Sequence, residues 1–124
     1  MASVGRLINT STGTILLSKV HWCDSFLCKL RGLMFRSHLE DGEGLLMVEP
    51  RASRSGASIH MLFMSFPIAT IWLDGSMCVV DSVLAKPWRP AYIPAKAAKF
   101  TLEASSDLLS KVSVGETLVF EPIA

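Results

Sequence analysis

No apolar run in this chain approaches the roughly 18 to 20 residues that a membrane-spanning helix needs, although half of its 124 residues are hydrophobic. The hydrophobic content is therefore expected to build a core, and no integral membrane segment is expected. An excess of one charge is missing too: 12 Lys and Arg stand against 11 Asp and Glu, a formal net charge of +1. Nucleic-acid binding usually leaves a strong basic excess, so nucleic acid is not an expected partner. Cysteine is scarce, with Cys23, Cys28 and Cys78 making an odd count of 3. Cys23 and Cys28 lack the two-residue spacing of a common redox or zinc pair, so reduced, packed thiols are expected. The opening MASVGRLINTSTG lacks the basic-then-apolar shape of a signal peptide, which makes a cytoplasmic location the expectation. Internal repeats, low-complexity tracts and linkers are missing, and residues 1–124 read as a single domain.

What is present is concentrated in residues 59–84, IHMLFMSFPIATIWLDGSMCVVDSVL. Residues 68–73 and 77–84 are rich in strand-favouring side chains. Asp74-Gly75 between them is a strong two-residue hairpin signal, with Ser76 able to lengthen the loop. Alternation puts Ala69, Ile71 and Leu73 on one face and Ile68, Thr70 and Trp72 on the other. Neither face is cleanly polar, so both sides are expected to be covered.

Elsewhere, residues 4–8 and 14–20 read as strands joined by the turn NTSTG, with Gly13 at a positive φ. A short helix follows, capped by Asp24 or Ser25. Phe26, Leu27, Leu30, Leu33 and Met34 follow the spacing of one helical stripe, and Gly32 is placed to end the helix. Residues 45–49 read as a short buried strand and 50–58 as a flexible polar loop. Pro87, Pro90 and Pro94 forbid regular structure in residues 86–96. Residues 99–104 alternate as a strand with one buried face. Residues 105–112 read as a second short helix and 117–121 as the last strand. The sum is a mainly β (α+β) domain, a small closed or nearly closed antiparallel β-barrel with two short helices.

The ordered segments Arg31-Gly32-Leu33-Met34, Gly44-Leu45-Leu46, residues 60–74, Pro87-Trp88-Arg89, Leu102-Glu103 and Val114-Gly115-Glu116 resemble the family catalogued as domain of unknown function 192. The resemblance spans nearly the whole chain and implies a compact β-barrel-like domain with no settled biochemical role. Ser65 stands where the family pattern has a basic residue, and Ala69 where it has Asp. If those two family residues form a pair, this chain lacks both halves.

For chemistry, His60, Met61, Met64 and Cys78 are the soft donors a Cu(I) site would use. Strand alternation turns Met61 away from His60 and Met64, so no metal or other cofactor is expected. An acid–base enzyme would draw on His60, Asp74, Asp81, Glu103 and Cys78, yet no nucleophile elbow, paired-His motif or phosphate loop accompanies them. The chain therefore reads as a binding module more than an enzyme. The ligand-binding residues expected are Arg31, Arg36, His60, Trp88 and Arg89, around the proline and aromatic loop. Its partner would be a small ligand or a peptide. A structural or protein–protein role, as a homodimer for instance, is the alternative. Basic clustering near Trp88 is too modest in the sequence to indicate a membrane surface.

Overall fold

The computed structural model describes residues 3–123. Seven strands form one sheet: β1 (Val4–Asn9), β2 (Thr14–Cys23), β3 (Glu43–Ser53), β4 (Ile68–Leu73), β5 (Val79–Ala85), β6 (Ala98–Ala104) and β7 (Leu118–Pro122). The helix α1 (Phe26–Arg31) and a 3-10 turn, Ser106–Ser110, are its helical elements. The strand order is β5-β4-β6-β3-β2-β1-β7. Every pairing is antiparallel except β2 with β3, which α1 connects in parallel.

Strand spacing of about 4.8 Å would set β5 and β7 roughly 29 Å apart in a flat sheet. Instead the Val79 N–H donates to Glu116 O at 2.8 Å, and the Leu118 N–H to Met77 O at 2.9 Å. The sheet therefore curls strongly. These edge strands meet through the single bridge Cys78–Thr117 rather than a ladder. The result is a curled half-barrel and not a closed barrel, the parallel β2–β3 pair departs from a wholly antiparallel sheet, and the second short helix expected over residues 105–112 is a 3-10 turn.

The inner face gathers Leu7, Val20, Leu46, Ile71, Leu102 and Leu118 from six strands into one core, with Leu108 of the 3-10 turn against it. The outer face is covered as well. All six residues of β4 are buried, and their two faces divide as alternation predicts: Ala69, Ile71 and Leu73 face inward, Ile68 and Trp72 outward. β6 departs from the sequence reading, because Thr101 and Glu103 on its supposedly polar face are also buried. The cover comes from distant chain, chiefly the segment after β3. Trp72 Nε1 and Thr101 Oγ1 both donate to Ala57 O, at 2.8 and 3.2 Å. This clasp fastens to the sheet a segment that composition marks as loose.

Other local expectations change for identifiable reasons. β3 runs on to Ser53, through residues read as loop. In the β4–β5 turn the positive φ falls on Met77, because Asp74 Oδ1 accepts from the N–H groups of Ser76 and Cys78 and draws out a longer loop. α1 is capped by Ser25 and closed by Gly32, as its sequence implies, but it buries none of its residues. Phe26 and Leu27 are each 74% exposed. Cys23 and Cys28 are not free thiols. They form a disulfide across a Cα separation of 5.7 Å, since the cap turns the first helical turn back against the end of β2.

Replacing Trp72 with Phe removes one of the two donors to Ala57 O. Urea unfolding should show a loss of about 2 kcal/mol at unchanged m-value. A loss under about 0.5 kcal/mol, the level of a neutral surface change, would mean that the clasp does not hold the outer cover.

Candidate functional site

Glu103 is a carboxylate under the outer cover with no hydrogen-bond or ion-pair partner among the described residues. It lies on β6 opposite Thr70 of β4 and Leu45 of β3, and is 5% exposed. Burial alone pushes its carboxyl up to about 7. A carboxylate taken from water without a compensating donor keeps its proton to higher pH. Thr70 Oγ1, its cross-strand neighbour, is buried with no hydrogen-bond partner among the described residues. Two unpartnered polar side chains thus sit side by side at the centre of the outer face. Such groups are uncommon in a folded interior and call for an explanation.

A cavity of about 90 Å³ stands over Glu103. Met47, Met61 and Met64 line it, together with Lys29, Arg31, Glu49 and His60. The last turn of α1 approaches closely at Gly32, where an added Cβ would lie 3.7 Å from Glu103 Oε1. Lys29 does not neutralise Glu103. It pairs with Glu49 at 3.2 Å and donates to Val48 O. The cavity therefore offers one carboxyl able to donate or accept near neutral pH, a soft apolar wall, the Lys29–Glu49 pair, and Arg31 and His60 in its lining.

Beside the cavity three separate segments meet. The Trp88 N–H donates to Met61 O at 2.7 Å and the Met61 N–H to Arg89 O at 2.8 Å, while Ile59 and Tyr92 exchange both backbone bonds. The Phe35 N–H donates to Phe63 O at 3.2 Å. Phe35, Phe63 and Trp88 form a chain of rings with neighbouring centroids 5.1 Å apart. All three hold positive φ, at 65, 63 and 67°. They are 74%, 48% and 58% exposed.

The five residues expected to bind divide between these features. Arg31 and His60 line the cavity. Trp88 belongs to the ring cluster, and Arg89 lends its carbonyl to the same junction. Arg36 is committed elsewhere: both its terminal nitrogens bind the Glu43 carboxylate, at 2.8 and 3.1 Å. That guanidinium holds the Glu43 carboxyl down at about 2. Of the soft donors, Met61 and Met64 share the cavity with His60, and Cys78 lies apart at the β5–β7 contact. Among the described residues no group of three or more His, Cys, Asp or Glu is gathered as a metal site. Ser65 donates to Arg36 O on the outer side while Ala69 faces the inner core, so positions 65 and 69 do not line one site here. In the sequence Glu103 reads as the polar face of an alternating strand, with no local sign of burial. Its lack of a partner became visible only with the fold.

A curled β half-barrel with a loop-covered outer face is the class of domain that the geometry defines. The chain belongs to the family of domain of unknown function 192, described as "Uncharacterized ACR, COG1430", whose profile matches residues 7–120. It is 41% identical over 110 residues to the UPF0127 protein TK1120 of Thermococcus kodakarensis, covering 89% of this chain and 68% of that one. It is 36% identical over 115 residues to the UPF0127 protein PYRAB11210 of Pyrococcus abyssi, covering 91% and 95%. A crystal structure from Sinorhizobium meliloti 1021, described as "a putative transcription regulator", matches at TM-score 0.82 and 18% identity, over 97% of this chain and 94% of that one. A protein of unknown function from Novosphingobium aromaticivorans matches at 0.74, also with 18% identity, over 95% and 84%. At that identity the two structures establish the fold alone.

The two perturbed carboxyls predict opposite pH effects. Burial raises the Glu103 carboxyl from its ordinary value of 4.5 to about 7, so the stability it lends in its protonated form is full below about 4.5 and lost as pH rises through 7. Glu43, held near 2, lends stability above about 4.5 that is lost as pH falls through 2. Glu103→Gln should therefore gain on the parent protein between pH 5 and 8, by up to about 3 kcal/mol. Denaturant melts across that range check this. Parallel pH profiles for the two proteins would show that Glu103 does not titrate as described.

Proposed function

We propose that the chain is a small-ligand binding domain whose pocket is the cavity over Glu103, with Arg31 and His60 in its lining and Trp88 and Arg89 beside it. The observation that carries this reading is the Glu103 carboxyl, buried without a partner among the described residues yet open to a cavity. A ligand group that exchanges a hydrogen bond with it would recover part of its desolvation cost. Thr70 Oγ1 next to it is equally unsatisfied. The methionine walls suit an apolar body of variable shape, because unbranched thioethers adapt to what they touch. Arg31 and His60 in the lining suit an anionic or strongly polar end. The fitting ligand is thus small and amphipathic, with a hydrogen-bonding group at its apolar end.

A second reading has one observation in its favour. A carboxyl that titrates near neutral pH, sharing a cavity with His60, has the properties of an acid–base pair. An enzyme working through Glu103 and His60 is therefore the alternative to a pure binder. No described helix is long and apolar enough to cross a membrane. The Cys23–Cys28 disulfide removes one basis for the cytoplasmic expectation. It suits an oxidising compartment, or the cell interior of a hyperthermophile, where intracellular disulfides are common.

The test is thermal unfolding against a panel of amino acids, carboxylic acids, sugars, nucleotides and amines. A ligand bound only by the folded state at a hundred times its Kd adds about 2.7 kcal/mol. A rise in Tm that disappears in Glu103→Leu and shrinks in His60→Ala, with both variants still melting cooperatively, is the expected result. A rise that persists in Glu103→Leu would place the pocket elsewhere.

A further inference from the structure

Near-neutral net charge conceals a sharp segregation. Residues 25–39, 50–73 and 82–102 contain no Asp or Glu, yet they hold nine of the 12 Lys and Arg. Besides strand residues of β3 to β6, these segments contain α1, the chain that covers the outer face and the proline-rich loop, and the three exposed rings lie in them. Three of the nine cations have an ion-pair or hydrogen-bond partner, Lys29 with Glu49, Arg36 with Glu43 and Arg54 with Pro94 O, and Lys99 lies over the Phe100 ring. Arg31, four residues before Phe35, and Lys86 and Arg89, on either side of Trp88, have no ion-pair partner among the described residues. Three of the six cations without an ion-pair or hydrogen-bond partner among the described residues thus lie next to the rings in sequence.

We propose that the ring-bearing surface docks on an anionic lipid surface, with Phe35, Leu62, Phe63 and Trp88 entering the boundary between headgroups and acyl chains, and Arg31, Lys86 and Arg89 meeting lipid phosphates.

Three observations carry it. Leu62 is exposed along with the three rings, so the patch is aliphatic as well as aromatic. The patch is built rather than frayed, since backbone hydrogen bonds from Phe35 to Phe63 and from Trp88 to Met61 fix the turns that project it. Its flanking charge is of one sign, which matches the anionic leaflets that attract basic residues close to a membrane. Trp at the polar–apolar boundary is a familiar membrane anchor.

Other occupants fit less well. Single-stranded nucleic acid stacks its bases on free ring faces. Here the rings pack on one another at interplanar angles of 32° and 61°, and Leu62 offers no ring. A second copy in a two-fold dimer would bring the two basic flanks face to face.

The test is co-sedimentation of the intact protein with vesicles of phosphatidylcholine alone or mixed with phosphatidylglycerol, followed by tryptophan fluorescence. Trp72 is buried and Trp22 half-buried, so Trp88 dominates any response to the surface. Binding to the mixed vesicles only, weakened by salt, with emission quenched by lipids brominated near the headgroup, is expected. Phe63→Ala with Trp88→Ala should weaken it about tenfold or more, as loss of two inserted apolar side chains implies. Lys86→Glu with Arg89→Glu should weaken it at unchanged melting temperature. Glu103→Gln, which alters the cavity floor, should leave vesicle binding intact, so this proposal and the pocket can fail separately. Binding to neither vesicle, equal binding to both, or retention after loss of Phe63 and Trp88 would overturn the proposal. So would binding of a single-stranded oligonucleotide without vesicle binding, or a dimer that shields Trp88 from a soluble quencher.

Discussion

Strands β4 and β6 have both faces buried, and the described residues include one six-residue α-helix with which to cover them. An open sheet with an apolar outer face must be covered by something, and regular helices are the usual cover. Here irregular chain does the work, and irregular chain carries backbone polar groups that must be satisfied. Much of the side-chain chemistry outside the inner core answers that requirement. Ala57 O receives two donors from the sheet. The proline-rich segment, which cannot form a central strand, pairs with residues 59–61 and lends its Tyr92 hydroxyl as acceptor to the Lys86 N–H. Arg36 reaches across to Glu43 and His38 O, tying the chain after α1 to the start of β3. Glu103 and Thr70 lie under this cover where no such answer reaches them. That is why the cavity, rather than the more obvious proline loop, is the chemically distinctive place on the molecule.

The inner core was legible from sequence because it depends on local alternation. β4 shows this best: its two faces separate as a period of two requires, and a run without a polar face was already a sign of double burial. β6 shows the limit. Thr101 and Glu103 alternate with Phe100 and Leu102 like the polar face of a half-exposed strand, and no local signal tells that residues 56–61 fold over them. The apolar stripe that begins in α1 is buried only in part: Leu33 is 5% exposed, Phe26 and Leu27 74%. Helical periodicity indicates which side chains share a face, not whether a partner exists, and Phe26 and Leu27 have none. The Cys23–Cys28 pairing is a further case, since a cap and a turn set the distance between two cysteines more than their spacing does. Among the expected site residues, Arg31 and His60 meet because Gly32 ends α1 beside the segment that carries His60. Arg36 looked like their equivalent, and its bidentate partner lies seven residues on, in a stretch that composition marks as a turn.

The ring cluster poses the sharper energetic question. Left-handed backbone costs a non-glycine residue of order 1 kcal/mol or more, and glycine is the ordinary solution. Phe35, Phe63 and Trp88 each adopt it, and the three touch one another in sequence order. The fold's own needs would be met by glycine at any of the three, because the rings are largely exposed and contribute little to either core. Mutual ring contacts recover part of the cost, about 0.5 to 1.5 kcal/mol for a well-placed pair, but they do so by gathering apolar surface where water meets it. Strain held at three positions, in support of one exposed feature, is what a surface shaped for contact looks like. The cations flanking it make the same argument from charge. Thr70 and Glu103 make it from hydrogen bonding, one layer deeper: in each case the chain sustains a local cost that folding alone would remove.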